Sequence, residues 1–298
     1  MVRRPLAPAL ALCLASAAPA GPAVPRAAAD DAAAAPIERP AHKPAPEAID
    51  AAASDAALDG EEIYRRVQRN RLRSYVQQAR LVSGDRGPND QEMKIRVTWK
   101  SYRDDEEKPT RDFYSKTLIF YEQPFDVRFT TYLVIDNVDR VNDQFVYLPS
   151  RRRVRRVNLR GESLLGTDFS FEDVVPREAE GATHRRLPDE VHEGIPCFVV
   201  EAIPKPEAGS DYSRFVLTVE KEHYVPLRTR YWDGAGVEIK ELRADPKSIQ
   251  RFENAWIPLR AKMRHLVQES WTELEIEKIE ANPALSDGVF ELRRLEGH

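Results

Sequence analysis

The sequence predicts a mainly β protein of the α+β class, built on one antiparallel sheet that curls into a barrel or half-barrel. Three observations support this prediction. Apolar and polar residues alternate over much of the chain after residue 90, as they do in strands with one buried face. Roughly ten such segments follow one another at short spacing, with turn signals between them. A sheet of that width does not stay flat.

The first residues predict export. Arg3 and Arg4 precede an apolar run over residues 6–18, and small residues follow it, which is the order found in a secretory signal peptide. The run is shorter than the ~20 residues that span a bilayer. We expect residues 1–29 to hold the signal peptide, cleaved after residue 20 or residue 29. Leu12 directly before Cys13 argues against lipoprotein processing.

A flexible linker and one helix are predicted next. Residues 30–58 are almost entirely Ala and Pro with scattered charges, a composition that cannot bury enough apolar surface to offset the entropy of ordering. Order is expected from residue 59, where an acidic residue can cap a helix over residues 59–75. The predicted folded domain therefore spans residues 59–298.

The strands are predicted from the two-residue period. In "MKIRVTWK" the apolar residues alternate strictly with polar ones. Hairpin loops are expected at residues 233–236 and 253–255, which carry turn residues. The period lapses after residue 149, and residues 162–175 indicate a short helix or loop that could cover the mouth of the curled sheet. The predicted strand segments are 93–100, 112–124, 126–138, 143–149, 195–205, 213–233, 237–245, 255–267 and 271–279.

Charge and motifs exclude several classes of function. The formal net charge is −4, and removing residues 1–20 with their two arginines makes it −6, which disfavours a nucleic-acid binder. The sequence has no metal-binding His spacing, no C-x-x-C, no nucleophile elbow and no phosphate-binding loop. We therefore expect no enzyme activity, no metal and no cofactor. Cys197 is expected to be a core residue without a disulfide partner.

Six arginines lie between residues 151 and 160. A cluster of this kind has three interpretations. Nucleic-acid binding lacks interleaved aromatic residues. Contact with anionic lipid head groups is favoured by ~1 kcal/mol per basic residue near the membrane surface. An exposed strand edge, whose charges prevent edge-to-edge aggregation, explains them equally well. The residues alone leave the last two interpretations open.

Residues 145–174 also resemble a known family. The aromatic-Leu-Pro at 147–149, the run Arg153 to Arg156 and several later residues resemble the signature segment of outer-membrane lipoprotein-sorting proteins, which are relatives of the LolA and LolB carriers. The later residues are Gly166, Asp168, Phe169, Glu172 and Asp173. The resemblance covers about residues 59–295. It implies a half-barrel of about eleven antiparallel strands, with helices on its concave face and an apolar cavity for acyl chains.

The resemblance and the alternation together give candidate site residues. Moving an acyl chain from water into an apolar cavity is favourable by ~0.8 kcal/mol for each CH₂ group that is buried. The expected lipid-binding cavity residues are Val97, Trp99, Phe129, Leu133, Tyr147, Leu164, Leu165, Phe169, Phe171, Leu217, Tyr231 and Met263. The residues expected at the rim, for head-group or partner docking, are Arg151, Arg152, Arg153, Arg155 and Arg156.

The resemblance implies a periplasmic carrier for lipid or lipoprotein acyl chains, moving them toward the outer membrane. The expected partners are an inner-membrane exporter of the resistance-nodulation-division (RND) type and, transiently, a membrane surface, with the carrier itself a monomer. The alternative is an envelope-stress sensor, in which the same fold binds a membrane protein. Such sensors carry a second domain, and the expectation here is that none follows residue 298. A hydrolase is disfavoured because the sequence contains no recognisable catalytic motif.

Overall fold

The computed structural model describes residue 55 and residues 57–88, 90–158, 161–164 and 166–296. The predicted signal peptide and nearly all of the predicted linker lie outside these residues and stay predictions. Within the described residues, no helix is both long enough and apolar enough to cross a bilayer.

Helix α1 spans Gly60–Arg69 and begins where the sequence predicts. The Asp59 carboxylate accepts a hydrogen bond from the Glu62 N–H at 2.8 Å and so caps the first turn. A Cβ on Gly60 would lie 2.6 Å from the Arg186 nitrogen, so the helix approaches that backbone closely only because this residue is glycine. The helix ends at Arg69 and not near residue 75, since the residues from 74 onward pair as a strand.

Fifteen strands form in the described part of the chain. Thirteen of them make one antiparallel sheet, and β12 and β13 make a separate hairpin. The strands are β1 Ser74–Gly84, β2 Gln91–Ser101, β3 Phe113–Gln123, β4 Thr131–Asn137, β5 Asp143–Leu148, β6 Arg153–Val157, β7 Ala182–His192, β8 Ile195–Pro204, β9 Arg214–Glu220, β10 Pro226–Trp232, β11 Glu238–Ala244, β12 Ile249–Phe252, β13 Ala255–Pro258, β14 Arg260–His265 and β15 Ser270–Ala281.

The sheet is open. Its strand order is β6-β5-β4-β3-β2-β1-β15-β14-β11-β10-β9-β8-β7, so β6 and β7 are its two edges. The expected half-barrel of about eleven strands is therefore approximately confirmed, with thirteen strands in place of eleven. Residues 158–181 connect the two edge strands and contain the four-residue helix α2, Phe171–Val174. The expected short helix or loop lies in this connection.

Both faces of the sheet are covered. On one face, the main core cluster joins side chains of α1, the connection between the edge strands, and most of the strands. On the other face, residues 285–295 bury Phe290 and Leu295 against Leu118 and Leu133. The alternation predicts strands with one buried face, but β4 carries buried residues on both sides. Burial of each large apolar side chain stabilises the fold by about 1.5–3 kcal/mol.

Candidate functional site

The candidate site is the inner face of the sheet together with residues 161–176, which we call the lid. Residue 165 of the lid lies outside the described residues. The lid has little backbone structure of its own. Ser163 and Ser170 form an isolated bridge, and the Leu164 N–H donates to the Phe169 carbonyl at 2.8 Å. At the start of α2, Ser170 donates to the Asp173 carboxylate through both its backbone N–H and its hydroxyl, each at 2.9 Å.

Three apolar side chains of the lid point into the main core. Leu164, Phe169 and Phe171 are each no more than 6% exposed and belong to the same cluster as the inner face of the sheet. The Phe171 ring packs on Tyr132 of β4, with 4.8 Å between ring centroids. These three side chains therefore pack against the inner face of the sheet.

The other side of the lid is polar. A pocket of about 600 Å³ runs along it and is lined by residues such as Gln91, Asp168, Lys240 and His265. The lid is thus amphipathic, although it is too short to be a regular amphipathic helix. Its apolar side faces the core and its polar side faces this pocket.

Hydrogen bonds from Asp168 attach the lid to β15. The Asp168 N–H donates to Thr272 Oγ1 at 2.8 Å, and the Thr272 hydroxyl donates to Asp168 Oδ2 at 2.8 Å. The Ser270 hydroxyl donates to the other carboxylate oxygen. Asp168 is buried, and its two hydrogen bonds with Thr272 are buried too, so these two are protected from water and costly to break.

A second polar attachment lies around Asp173 at the other end of the lid. Its carboxylate accepts from Tyr212 Oη at 3.0 Å and lies 3.2 Å from Arg177 Nη2 and 3.4 Å from Lys240 Nζ. Although burial acts in the opposite direction, the Lys240 and Arg177 cations hold the pKa of Asp173 below its usual value. Glu172 adds a further contact, because it accepts from the Asp211 N–H at 3.1 Å.

The predicted cavity residues fall into several environments. Seven of the twelve share the main core cluster: Val97, Leu164, Phe169, Phe171, Leu217, Tyr231 and Met263. Trp99 is buried and stacks on Tyr75, with 5.5 Å between ring centroids. Leu165 lies outside the described residues.

The other three lie away from the concave face. Leu133 and Tyr147 pack on the opposite face of the sheet, under the segment that contains Phe290. Phe129 is 39% exposed in the loop between β3 and β4 and has a positive φ of 67°. These three residues therefore do not lie on the face that the sequence predicted. The run "TYLVI" is apolar on both faces, so the two-residue period could not indicate which side faces inward.

The arginine cluster lies on edge strand β6 and the turn before it. Arg151, Arg152, Arg153, Arg155 and Arg156 are all exposed. Arg156 pairs with Asp143 of the neighbouring strand. Among the residues that the structure describes, no carboxylate lies within 4.0 Å of the other four guanidinium groups. The cluster is therefore a group of mostly unpaired cations at one edge of the sheet.

The sequence reasoning missed the buried network of the lid. The sequence indicates Asp173 only as part of an acidic pair, and no pattern in it predicts a role for Tyr212 or Lys240. The signal that could have indicated an ion pair is the spacing of Asp173 and Arg177, four residues apart at the end of a short helix. Tyr212 and Lys240 come from distant loops and strands, so their contribution depends on the tertiary structure.

Comparisons with known proteins agree with this architecture. A family model described as "Uncharacterized protein" matches residues 114–297, and the model "Protein of unknown function (DUF1329)" matches residues 57–158. The search of curated proteins found no match.

Solved structures with this fold are similar over most of their length. A DUF1329 family protein from Desulfovibrio piger is 24% identical, with a TM-score of 0.72 over 79% of this chain and 97% of that one. A domain from Vibrio parahaemolyticus named for outer-membrane lipoprotein sorting is 24% identical, with a TM-score of 0.71 over 80% and 98%. A LolA superfamily protein from Nitrosomonas europaea is 14% identical, with a TM-score of 0.63 over 80% and 100%. At these identities the likeness shows the fold.

Proposed function

The chain belongs to the family of uncharacterized proteins whose model matches residues 114–297, and we propose that it is an exported carrier for the acyl chains of a lipid or lipoprotein. The observation that supports this proposal is the amphipathic lid on an open sheet. Its side chains Leu164, Phe169 and Phe171 fill the concave face, while polar side chains attach it at both ends. The likeness to structures named for LolA and for lipoprotein sorting supports the same function.

In this proposal the described structure has the lid closed on the inner face of the sheet. An acyl chain enters when the lid moves outward and takes the place of the three lid side chains. Each CH₂ that leaves water contributes about 0.8 kcal/mol, so a chain of ten or more carbons offsets the loss of the lid contacts. Delivery toward the outer membrane, with an RND-type exporter at the inner membrane as the source, is part of the proposal.

A binding measurement with a fluorescent fatty-acid analogue tests the carrier. The variant Phe171→Ala removes one competing side chain, and we expect it to bind the analogue about tenfold more tightly than the unaltered protein. Phe290→Ala is the matched control, because Phe290 is equally buried but lies on the opposite face of the sheet. No binding by any of the three proteins, or an equal gain in the control, would contradict the proposal.

We also propose that the arginine cluster docks on the head groups of an anionic membrane while cargo is exchanged. Four of its five guanidinium groups have no carboxylate within 4.0 Å among the described residues. The β3–β4 loop lies at the same end of the sheet as the turn at residues 149–152, because β3–β4 and β5–β6 are adjacent hairpins. Phe125 in that loop is 89% exposed, so an apolar contact accompanies the charges.

Vesicle flotation tests this docking surface. With vesicles that contain phosphatidylglycerol, we expect binding that weakens as salt rises and that is lost in the double variant Arg152→Glu, Arg155→Glu. The control is Arg293→Glu, an exposed arginine in the C-terminal segment. If the double variant floats as well as the unaltered protein, the arginines serve only to protect a strand edge from aggregation.

A further inference from the structure

A second pocket lies where the open sheet leaves a gap between its edge strands. It has a volume of about 490 Å³. It is lined by the end of β4, by the C-terminal end of the lid, and by the strands β7 and β8 on the other side of the gap. Val134, Phe171 and Phe215 give it an apolar wall. A guest under the lid would therefore have this pocket at one end.

Asp136 lines the pocket, and one of its two carboxylate oxygens lacks a partner, although Asn142 hydrogen-bonds to the carboxyl group. The residue is 8% exposed, and its Oδ2 atom accepts no hydrogen bond from any described residue. The nearby cations are already engaged, because Arg103 Nη2 lies 2.6 Å from Glu178 Oε2 and Arg71 Nη1 lies 3.8 Å from Glu178 Oε1. No described Lys, Arg or His lies within 4.0 Å of the Asp136 carboxylate. A buried acid in this state is unfavourable unless a donor or a cation reaches it.

The surroundings favour a cation over an anion. The pocket is lined by six acidic and three basic residues. Asn137, next to Asp136, also lines it and has a buried Oδ1 atom without a donor among the described residues. Burial, and then the charge of Glu178, raise the pKa of Asp136 to about 7, as expected for a carboxyl group that lacks a counter-ion. The unsatisfied acceptor atoms in this pocket therefore favour hydrogen-bond donors that carry positive charge.

We propose that this pocket binds the protonated amine of an amphiphile, with Asp136 as its counter-ion and with the apolar wall against its hydrocarbon part. The inference rests on the proposed carrier function and adds the chemical class of the cargo's polar end. An ammonium group supplies the donors that Asp136 and Asn137 lack. A carboxylate or phosphate at this position would face an excess of acidic side chains.

Calorimetric titration at pH 8 tests the proposal with four probes: decylamine, decanol, decanoate and ethanolamine. We expect decylamine to bind at least tenfold more tightly than each of the others, because it alone offers both the charge and the chain. Asp136→Asn should abolish the preference over decanol while retaining binding of the chain. Asp112→Asn, which removes the same charge from an exposed position outside the pocket, should retain the preference.

The outcomes separate this inference from the carrier function. Equal binding of the three ten-carbon probes overturns the amine site and leaves the carrier intact. Binding of no ten-carbon probe overturns both. Ethanolamine binding as tightly as decylamine overturns the amphiphile and leaves only a small-amine site. The asparagine in Asp136→Asn is close in shape to aspartate, and thermal unfolding of the variant reports whether the protein folds.

As an independent check, the preference for decylamine should fall as the pH is lowered from 8 to 5, because Asp136 gains a proton.

Discussion

Burial sets the protonation behaviour of individual side chains in this molecule, and Asp136 is the clearest case. Its carboxyl group is buried in the gap between the edge strands, and its pKa is raised to about 7. The folded protein therefore binds a proton more tightly than the unfolded chain between pH 4 and pH 7. By linkage, the contribution of this group to the free energy of unfolding falls as the pH rises through this range.

The first prediction follows from that linkage. Asp136→Asn should remove the fall, so the variant should be more stable than the unaltered protein at pH 8 by a few kcal/mol, at about 1.36 kcal/mol for each unit of pKa. Below pH 4 the two proteins should differ little, because the carboxyl group is then protonated in both the folded and the unfolded state. Urea denaturation at pH 4, 6 and 8 measures this. If the free energy of unfolding depends on pH in the same way in the variant and in the unaltered protein, ionisation of Asp136 does not destabilise the fold.

Cys197 gives the second prediction. It is fully buried and free, and burial raises the pKa of its thiol to about 11. In a chain that begins after residue 29 we expect no reaction with a thiol reagent at pH 8 while the protein is folded, and complete reaction in guanidinium chloride. Fast labelling of the folded protein would mean that strand β8 opens readily. The sequence predicted this residue as core, because small apolar positions in a strand suit cysteine.

Individual residues could be predicted only where the local pattern fixes their environment. Asp59 was predicted as a helix cap from its position before an amphipathic run, and it caps α1. The lack of a counter-ion at Asp136 depends on Arg103 and Glu178, which are 33 and 42 residues away in the chain. No sequence pattern around Asp136 indicates that those two side chains pair with each other, so that neither is a counter-ion for Asp136.

Among the elements, the lid has the weakest backbone support and the strongest side-chain attachments. We expect Asp168→Ala to release it, because the change removes the carboxylate that Ser270 and Thr272 bind. Loss of buried hydrogen bonds to a charged group costs about 1–3 kcal/mol. The amide hydrogens of residues 164–171 should then exchange faster, with little change in the central strands.

Hydrogen exchange measured by mass spectrometry tests this third prediction. Asp245→Ala is a suitable control, because Asp245 pairs with Arg260 at 2.7 Å on the exposed surface away from the lid. If both variants speed exchange equally across the whole chain, Asp168 stabilises the fold in general and does not act on the lid in particular.

Strands were predictable where one face is buried and the other is polar. β2, with "MKIRVTWK", is found as predicted. The period is less informative where both faces are covered, as in β4. The two-residue period is not recognisable in β1, because Gln77, Gln78 and Arg80 leave few apolar residues there and because the register shifts after Gln78. The number of strands was underestimated for this reason.

At the scale of the whole molecule, the sheet buries apolar side chains on two faces with different kinds of cover. The lid covers one face, and its attachments are polar contacts that can be exchanged. The C-terminal segment covers the other face with Phe290 and Leu295, both almost fully buried. The carrier proposal requires only the lid to open. The outer face, which is the face under the C-terminal segment, should therefore stay covered as long as the protein is folded.

The last prediction tests this division. Phe290→Ala should lower the free energy of unfolding by about 3–5 kcal/mol, the range for removal of a large buried side chain. Leu292→Ala in the same segment should change it by less than about 0.5 kcal/mol, because Leu292 is 42% exposed. Urea denaturation supplies both values. If Phe290→Ala unfolds at the same urea concentration as the control, the C-terminal segment is a second removable cover. The outer face, with Leu133 and Tyr147, would then become a candidate binding surface in its own right.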